Sequence, residues 1–175
     1  MATKWLNSAE MTAWRSFIET TGDLMRAIEK DLEPFGLDRG DYQLLAMLSE
    51  APDHKLRMCD LADSLRLTRS GLTRRMEGVL KKKLVTRVQS IEDGRVAYVQ
   101  MTPKGMELLK KAAPHHLESV RRLMIDLLNP AEIKAMGSAF GKIAGNLANS
   151  ANEYFVRRSY AVSAAFTACS PVATV

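Results

Sequence analysis

The stretch Leu61-Ala62-Asp63-Ser64-Leu65-Arg66-Leu67-Thr68-Arg69-Ser70-Gly71-Leu72-Thr73-Arg74-Arg75-Met76-Glu77-Gly78-Val79-Leu80-Lys81-Lys82-Lys83 decides the fold. Leu61 and Leu65 lie one helical turn apart and mark the inner face of a short helix over 58–66. Leu72, Met76, Val79 and Leu80 do the same for a second helix, from Thr68 to about Lys83. Almost nothing separates the two patterns, so a helix-turn-helix is expected at about 58–81. With Leu72 and Met76 turned inward, Arg69, Ser70, Thr73 and Arg74 face outward on the first two turns; Thr68 stands at the helix start and Arg75 at the flank. Donors of this kind reach base edges and phosphates in a DNA major groove, whereas a solvated helix face is the plainer alternative. Gly71 would let the helix approach a duplex closely, or would simply relieve crowding against the preceding helix.

Beyond Lys83 the period drops from about 3.6 to 2. Val85 to Ser90 alternates, Ile91-Glu92-Asp93-Gly94-Arg95 supplies turn chemistry, and Val96 to Met101 returns as a β-rich segment, so a hairpin is expected at about 85–101. A helical pair followed by such a hairpin has the order of a winged helix. At its tip the Asp93 carboxylate is placed to orient the Arg95 guanidinium into a groove; an ordinary turn with incidental charges is the alternative.

Outward from this core, Asn7 and Glu10 form a capping pair for a first helix running to about Glu33, ended by Pro34 and Gly36. Asp38 and Asp41 start a second helix, which Pro52 closes. Thr102-Pro103-Lys104-Gly105 starts a long helix expected to reach about Leu128 with a disturbance at Pro114. Asn129 and Glu132 cap a last one, whose buried face is read at Ile133, Met136, Phe140, Ile143 and Leu147. The apolar stripes of the terminal helices exceed what a helix-turn-helix of this size covers, so a homodimer is expected. The fold class is therefore mainly α with a small antiparallel β-hairpin: a winged helix-turn-helix over 8–148, with dimerisation helices at about 8–33 and 103–148, and a tail at 150–175.

Charge supports the same division. The 175 residues carry a net +5, yet residues 66–87 alone hold 8 Lys/Arg against 1 Asp/Glu, while residues 1–65 hold 7 against 12. The excess is local, as an electrostatic footprint for nucleic acid would be. Cys59 and Cys169 cannot build a disulfide framework, and the N-terminus shows no basic segment followed by an apolar run, so a cytoplasmic setting is expected. No segment is apolar over the roughly 18 residues that a membrane span needs. Metal binding is not expected: His115 and His116 are adjacent, about 100° apart on a helix, and His54 stands alone. No phosphate loop, nucleophile elbow or placed carboxylate pair points to catalysis, so neither enzyme activity nor a cofactor is expected. Cys59 is read as a small buried side chain beside Asp60.

Residues Leu65–Val85, then Asp93-Gly94-Arg95, then Met101-Thr102-Pro103-Lys104-Gly105, resemble the MarR family of bacterial transcriptional regulators over roughly residues 8–148. The resemblance implies a homodimer whose terminal helices interdigitate, recognition helices in successive major grooves of double-stranded DNA, and a wing arginine in the minor groove. Carried over residue by residue, Ser70, Thr73 and Arg74 match the recognition helix, and Asp93 and Arg95 match the wing. Two positions depart from the pattern: Lys83 stands where glycine is common, which predicts a strained turn or a longer helix, and Gly94 stands where a second arginine is common. The family also implies a small, often aromatic, effector between the dimer helices and the DNA-binding lobe; Trp14, Arg15, Tyr42 and His116 are the candidates by position and type, with core packing as their alternative use. The expected function is a dimeric, DNA-binding repressor released from a near-palindromic operator by such a ligand. A winged helix turned protein-interaction module, pairing through 84–101, is the rival.

Overall fold

The computed structural model describes residues 3–90 and 96–154. Among the described residues, six α-helices and a three-stranded sheet follow in the order α1 (Ser8–Lys30), α2 (Arg39–Glu50), β1 (Lys55–Arg57), α3 (Met58–Ser64), α4 (Arg69–Lys81), β2 (Val85–Gln89), β3 (Ala97–Met101), α5 (Pro103–Leu123) and α6 (Pro130–Tyr154). Most helix starts follow from a local side-chain cap that satisfies an orphan amide. Asn7 and Glu10 exchange both bonds of a capping box at 2.9 Å. Asp38 accepts from the Asp41 amide, Thr68 from Gly71, Thr102 from Gly105, and Asn129 from Glu132. Pro103 and Pro130 occupy first-turn positions, where a missing N–H leaves nothing unsatisfied.

Three turns share one geometry. Gly36, Arg66 and Lys83 adopt left-handed backbone with φ of 65°, 55° and 59°. Each donates its amide to the carbonyl three residues back, and the leucine that follows (Leu37, Leu67 or Leu84) donates to the carbonyl five residues back. This is the Schellman arrangement, which satisfies terminal carbonyls and folds an apolar residue back against the helix. The glycine departure at Lys83 therefore gives strain rather than a longer helix: α4 stops at Lys81 and a lysine carries the positive φ.

The sheet has the order β1-β3-β2, antiparallel throughout. Val85 pairs with Met101 and Gln89 with Ala97, and a bond of 2.9 Å from the Ser90 amide to Val96 continues the ladder toward the hairpin connection. β1 pairs Lys55 with Gln100 and Arg57 with Tyr98, so the expected hairpin is a three-stranded sheet. The segment between α2 and α3 thus holds a strand, too short for a period of two to register. The core gathers Leu32, Leu44, Leu45, Leu48, Leu61, Leu72, Met76, Val79, Leu84, Val85 and Val99, all almost completely buried. At about 1.5–3 kcal/mol for each fully buried large side chain, this cluster holds α2, α4, the sheet and the start of α5 as one body.

α5 runs unbroken through Pro114 but ends at Leu123, short of the expected Leu128, and a single 3-10 turn over Ile125–Leu127 leads to α6. The terminal helices contribute little to the core. Ile28 is the buried residue of α1, whereas Trp14, Phe17 and Ile18 are 41–54% exposed. On α6 the stripe expected to be buried is open: Ile133, Phe140, Ile143 and Leu147 are 36–56% exposed. The apolar period is present, but among the described residues no helix covers it. Phe17 and Phe140 meet at 5.7 Å between ring centroids, joining the two stripes into one apolar surface. The tail expected at 150–175 overlaps α6 as far as Tyr154 and otherwise lies outside the described residues.

Candidate nucleic-acid interface

The helix-turn-helix consists of α3, the Arg66-Leu67 turn and α4. Arg66 reverses the chain, and Thr68 caps α4 with its hydroxyl 3.1 Å from the Gly71 amide. Leu72, Met76 and Val79 are buried, which leaves Arg69, Ser70, Thr73 and Arg74 exposed along the opposite side, with Thr68 likewise exposed at the head of the row. Within that row the hydroxyls are already oriented: Thr68 and Ser70 lie 3.1 Å apart, and Thr73 donates to the Arg69 carbonyl at 3.0 Å. Their remaining lone pairs, with the Arg69 and Arg74 guanidiniums, project from the first two turns of one helix. A Cβ on Gly71 would meet Thr68 Oγ1 at 3.1 Å and Leu67 Cβ at 3.7 Å, so this glycine relieves the tight turn itself.

Arg75 belongs elsewhere. Its guanidinium is partly buried, bonds Asp38, and reaches Asp41 at 3.2 Å. Asp41 is buried and also receives Lys82 Nζ at 2.7 Å, and that ammonium further donates to the Gly36 carbonyl at 2.8 Å. Two cations from α4 and its C-cap are thereby spent on the N-terminus of α2. Burial works to raise the Asp38 carboxyl, but the Arg75 hydrogen bond, the Asp41 amide and the Arg75 charge outweigh it and hold this group below the ordinary carboxylate range. Gly40 makes room for the pair, since a Cβ there would lie 2.5 Å from Arg75 Cζ.

Behind α4, residues 82–84 and 101–105 form a compact junction that sets β2 and β3 against the helix. Thr102 sends its amide to the Leu84 carbonyl at 3.0 Å, and its hydroxyl lies 2.8 Å from the Lys83 carbonyl. Lys104 Nζ donates to the Lys82 carbonyl at 2.9 Å. The carbonyls just beyond α4 are thus satisfied by the first turn of α5. Gly105 permits this contact: a Cβ there would sit 2.2 Å from the Leu84 oxygen. The wing residues Asp93 and Arg95, with Gly94, lie outside the described residues.

The effector candidates separate into two groups. The rings of Tyr42 on α2 and His116 on α5 pack in a tilted pair with centroids 4.2 Å apart, and His116 Nδ1 is buried with no hydrogen-bond partner among the described residues. Burial holds the His116 imidazole below its ordinary pKa. Trp14 instead meets Phe17 in a tilted ring pair with centroids 6.3 Å apart, and Arg15 is exposed beside it on α1. A neighbouring cleft between the end of α1 and α5 is lined by Asp31, Phe35, His115, Ser119 and Arg122, which sequence reasoning missed because they come from segments some 80 residues apart. There Arg122 pairs with Asp31 at 2.7 Å, and the Phe35 and His115 rings lie 5.2 Å apart.

Cys59 is exposed, not buried as expected, with its thiol 3.4 Å from the Asp60 carboxylate. α3 has only seven residues, and Leu61 and Ala62 take its inner face, which turns residue 59 outward. Among the described residues no group of three or more His, Cys, Asp or Glu could hold a metal ion, and no helix is long and apolar enough to cross a membrane.

A helical pair with an exposed basic row, followed by an antiparallel sheet in which β2 and β3 pair, defines a winged helix-turn-helix protein. A sequence profile of the MarR family matches residues 35–96. The chain is similar to AbsC, a MarR family transcriptional regulator from Streptomyces coelicolor: 39% identity, TM-score 0.80, covering 83% of this chain and 98% of that one. It is also similar to Sco3205 from the same organism, solved in complex with DNA: 32% identity, TM-score 0.80, covering 83% and 92%. The transcriptional repressor YetL of Bacillus subtilis strain 168 is 21% identical over 142 residues, 79% of this chain and 85% of its own length. The chain belongs to the MarR family of transcriptional regulators, a family of regulators rather than of enzymes.

Proposed function

We propose that this protein is a dimeric repressor that binds a near-palindromic operator in double-stranded DNA and is released by a small ring-bearing molecule. The observation that carries the reading is the row Thr68, Arg69, Ser70, Thr73 and Arg74 at the start and on the first two turns of α4. Its donors suit guanine edges and phosphates in a major groove. Asp93 and Arg95 are assigned to the adjacent minor groove, the carboxylate orienting the guanidinium. Arg75 drops out of the contact set, because its guanidinium is committed to Asp38 and Asp41.

The homodimer is supported by the apolar surface of α1 and α6, where Trp14, Phe17, Phe140, Ile143 and Leu147 stand open in the single chain. Two-fold pairing would set the half-sites about one helical turn, roughly 10 base pairs, apart. For the effector, the Tyr42–His116 ring pair offers an aromatic face and a buried ring nitrogen without a partner among the described residues. A repressor that acts on the genome and answers to a metabolite works in the cytoplasm.

The test is binding to duplex DNA as a function of salt. Neutralising about six phosphates gives a log–log slope of roughly −5. Arg74→Ala should lower the affinity for a selected site without changing the unfolding midpoint, since its side chain lies outside the core. Binding that ignores salt would refute the reading.

A further inference from the structure

Arg75 and Lys82 are seven residues apart, on α4 and at its C-cap, hence on one stripe of the helix. Both end on carboxylates at the start of α2: Arg75 on Asp38 and Asp41, Lys82 on Asp41. Three further features make this a built clamp. Asp41 has a side chain only 5% exposed, Gly40 leaves the space that the guanidinium fills, and Lys82 is tied as well to the Gly36 carbonyl. Thr73, in the middle of the exposed row, lies two residues back from Arg75, about 200° around the helix. Arg74, at the edge of the row, lies only about 100° from Arg75, so the clamp grips α4 on the flank of the row, where it controls the tilt and rotation with which the row is presented. It also withholds two cations that would otherwise bind phosphate on any sequence.

We propose that Asp38 and Asp41 are specificity-positioning residues: they fix the rotation of α4 through Arg75 and Lys82, and they keep those two cations from sequence-independent contact with DNA. This rests on the DNA-binding reading above. A carboxylate removed from the clamp frees a cation and loosens the helix at once. Affinity for arbitrary DNA then rises while affinity for the preferred site does not, and the ratio between them collapses. A salt bridge with only a structural role has a different signature, a lower unfolding midpoint with unchanged discrimination.

The experiment uses the full chain and two duplexes of equal length and composition: one enriched by the wild-type protein from a random-sequence library, the other its shuffled counterpart. Asp38→Asn and Asp41→Asn are compared with Asp23→Asn, which makes the same charge change at an exposed pair with Arg26 on α1. The two clamp variants should lower the selected-to-shuffled affinity ratio about tenfold and steepen the salt slope on shuffled DNA by roughly one per freed cation. Asp23→Asn should change neither. Asp38 is nearly half exposed, so Asp38→Asn remains informative if Asp41→Asn does not fold. A ratio within about twofold of wild type and an unchanged slope overturn the proposal while leaving DNA binding intact. Failure of the wild type to enrich any sequence overturns both.

Discussion

Gly105→Ala tests the junction between recognition helix, wing and α5. The added Cβ would lie 2.2 Å from the Leu84 oxygen and 3.1 Å from Met101 Cγ. A relaxed carbon–oxygen contact needs about 1 Å more, and the obstacle is backbone, which cannot swing aside as a side chain can. The first turn of α5 must therefore lift. The Leu84 oxygen also accepts the Thr102 amide and lies 3.0 Å from its hydroxyl, so a displacement of this size takes both bonds out of range. Two hydrogen bonds at about 1 kcal/mol each, with overpacking strain of about 1–3 kcal/mol, outweigh the gain of up to about 1 kcal/mol from replacing glycine by alanine in a helix. The net destabilisation is about 2–4 kcal/mol, a large fraction of the roughly 5–15 kcal/mol that holds a domain. In urea, with a slope near 2 kcal/mol/M, the midpoint should fall by about 1–2 M at fixed protein concentration. Gly78→Ala is the control: a methyl group added there on α4 would find nothing within 4 Å, so it should be neutral or stabilising by up to about 1 kcal/mol. A drop below about 0.3 M for Gly105→Ala would show that α5 accommodates the methyl and that the contact does not fix the junction.

Lys83→Gly should stabilise the chain by about 0.5–1 kcal/mol, because it removes a left-handed lysine while keeping every backbone bond of the turn; an unchanged or lower urea midpoint refutes this. His116 is expected to make stability sensitive to mild acid. Above about pH 6.5 both states hold a neutral imidazole, but below it the unfolded chain takes a proton that the buried ring resists, so stability should decline from about pH 7.5 to 5.5. His116→Gln should flatten that decline in urea titrations at the two pH values; a decline as steep as that of the wild type would assign it to other groups. Phe140→Asp should convert a dimer to monomers in sedimentation equilibrium, because it puts a charge where Phe17 and Phe140 meet; persistence of a dimer would move the interface off this surface.

What the sequence makes legible is local. Caps at Asn7, Asp38, Thr68, Thr102 and Asn129 act over three residues, so the residue type and its spacing suffice to find them. The exposed row on α4 follows from helical period alone. What escapes depends on partners distant in the chain. β1 is three residues that become a strand only by pairing with β3 more than forty residues on. Arg75 has the chemistry of a further contact to nucleic acid until Asp38 and Asp41 arrive from 37 and 34 residues away. Gly105 fits a helix start by its position, whereas its need for a hydrogen side chain comes from Leu84. The stripes on α1 and α6 are apolar as their period predicts, but periodicity records that a face is to be covered and says nothing of whether the same chain covers it.

The leucine-anchored turns at Arg66 and Lys83 have a consequence for how such a protein can change. Because the leucine packed against the core and the two amide bonds secure the stop, the position before it need not be glycine. A cation there sits at a helix C-terminus, where the macrodipole favours it by about 0.3–1 kcal/mol, and this offsets part of the left-handed strain. Both cations fall within the most positive stretch of the chain. Glycine at these two sites would give a more robust fold with a weaker pull on polyanions, and lysine or arginine the reverse. Each turn is thus a dial on which a single codon trades thermal endurance against electrostatic reach, without disturbing the path of the backbone.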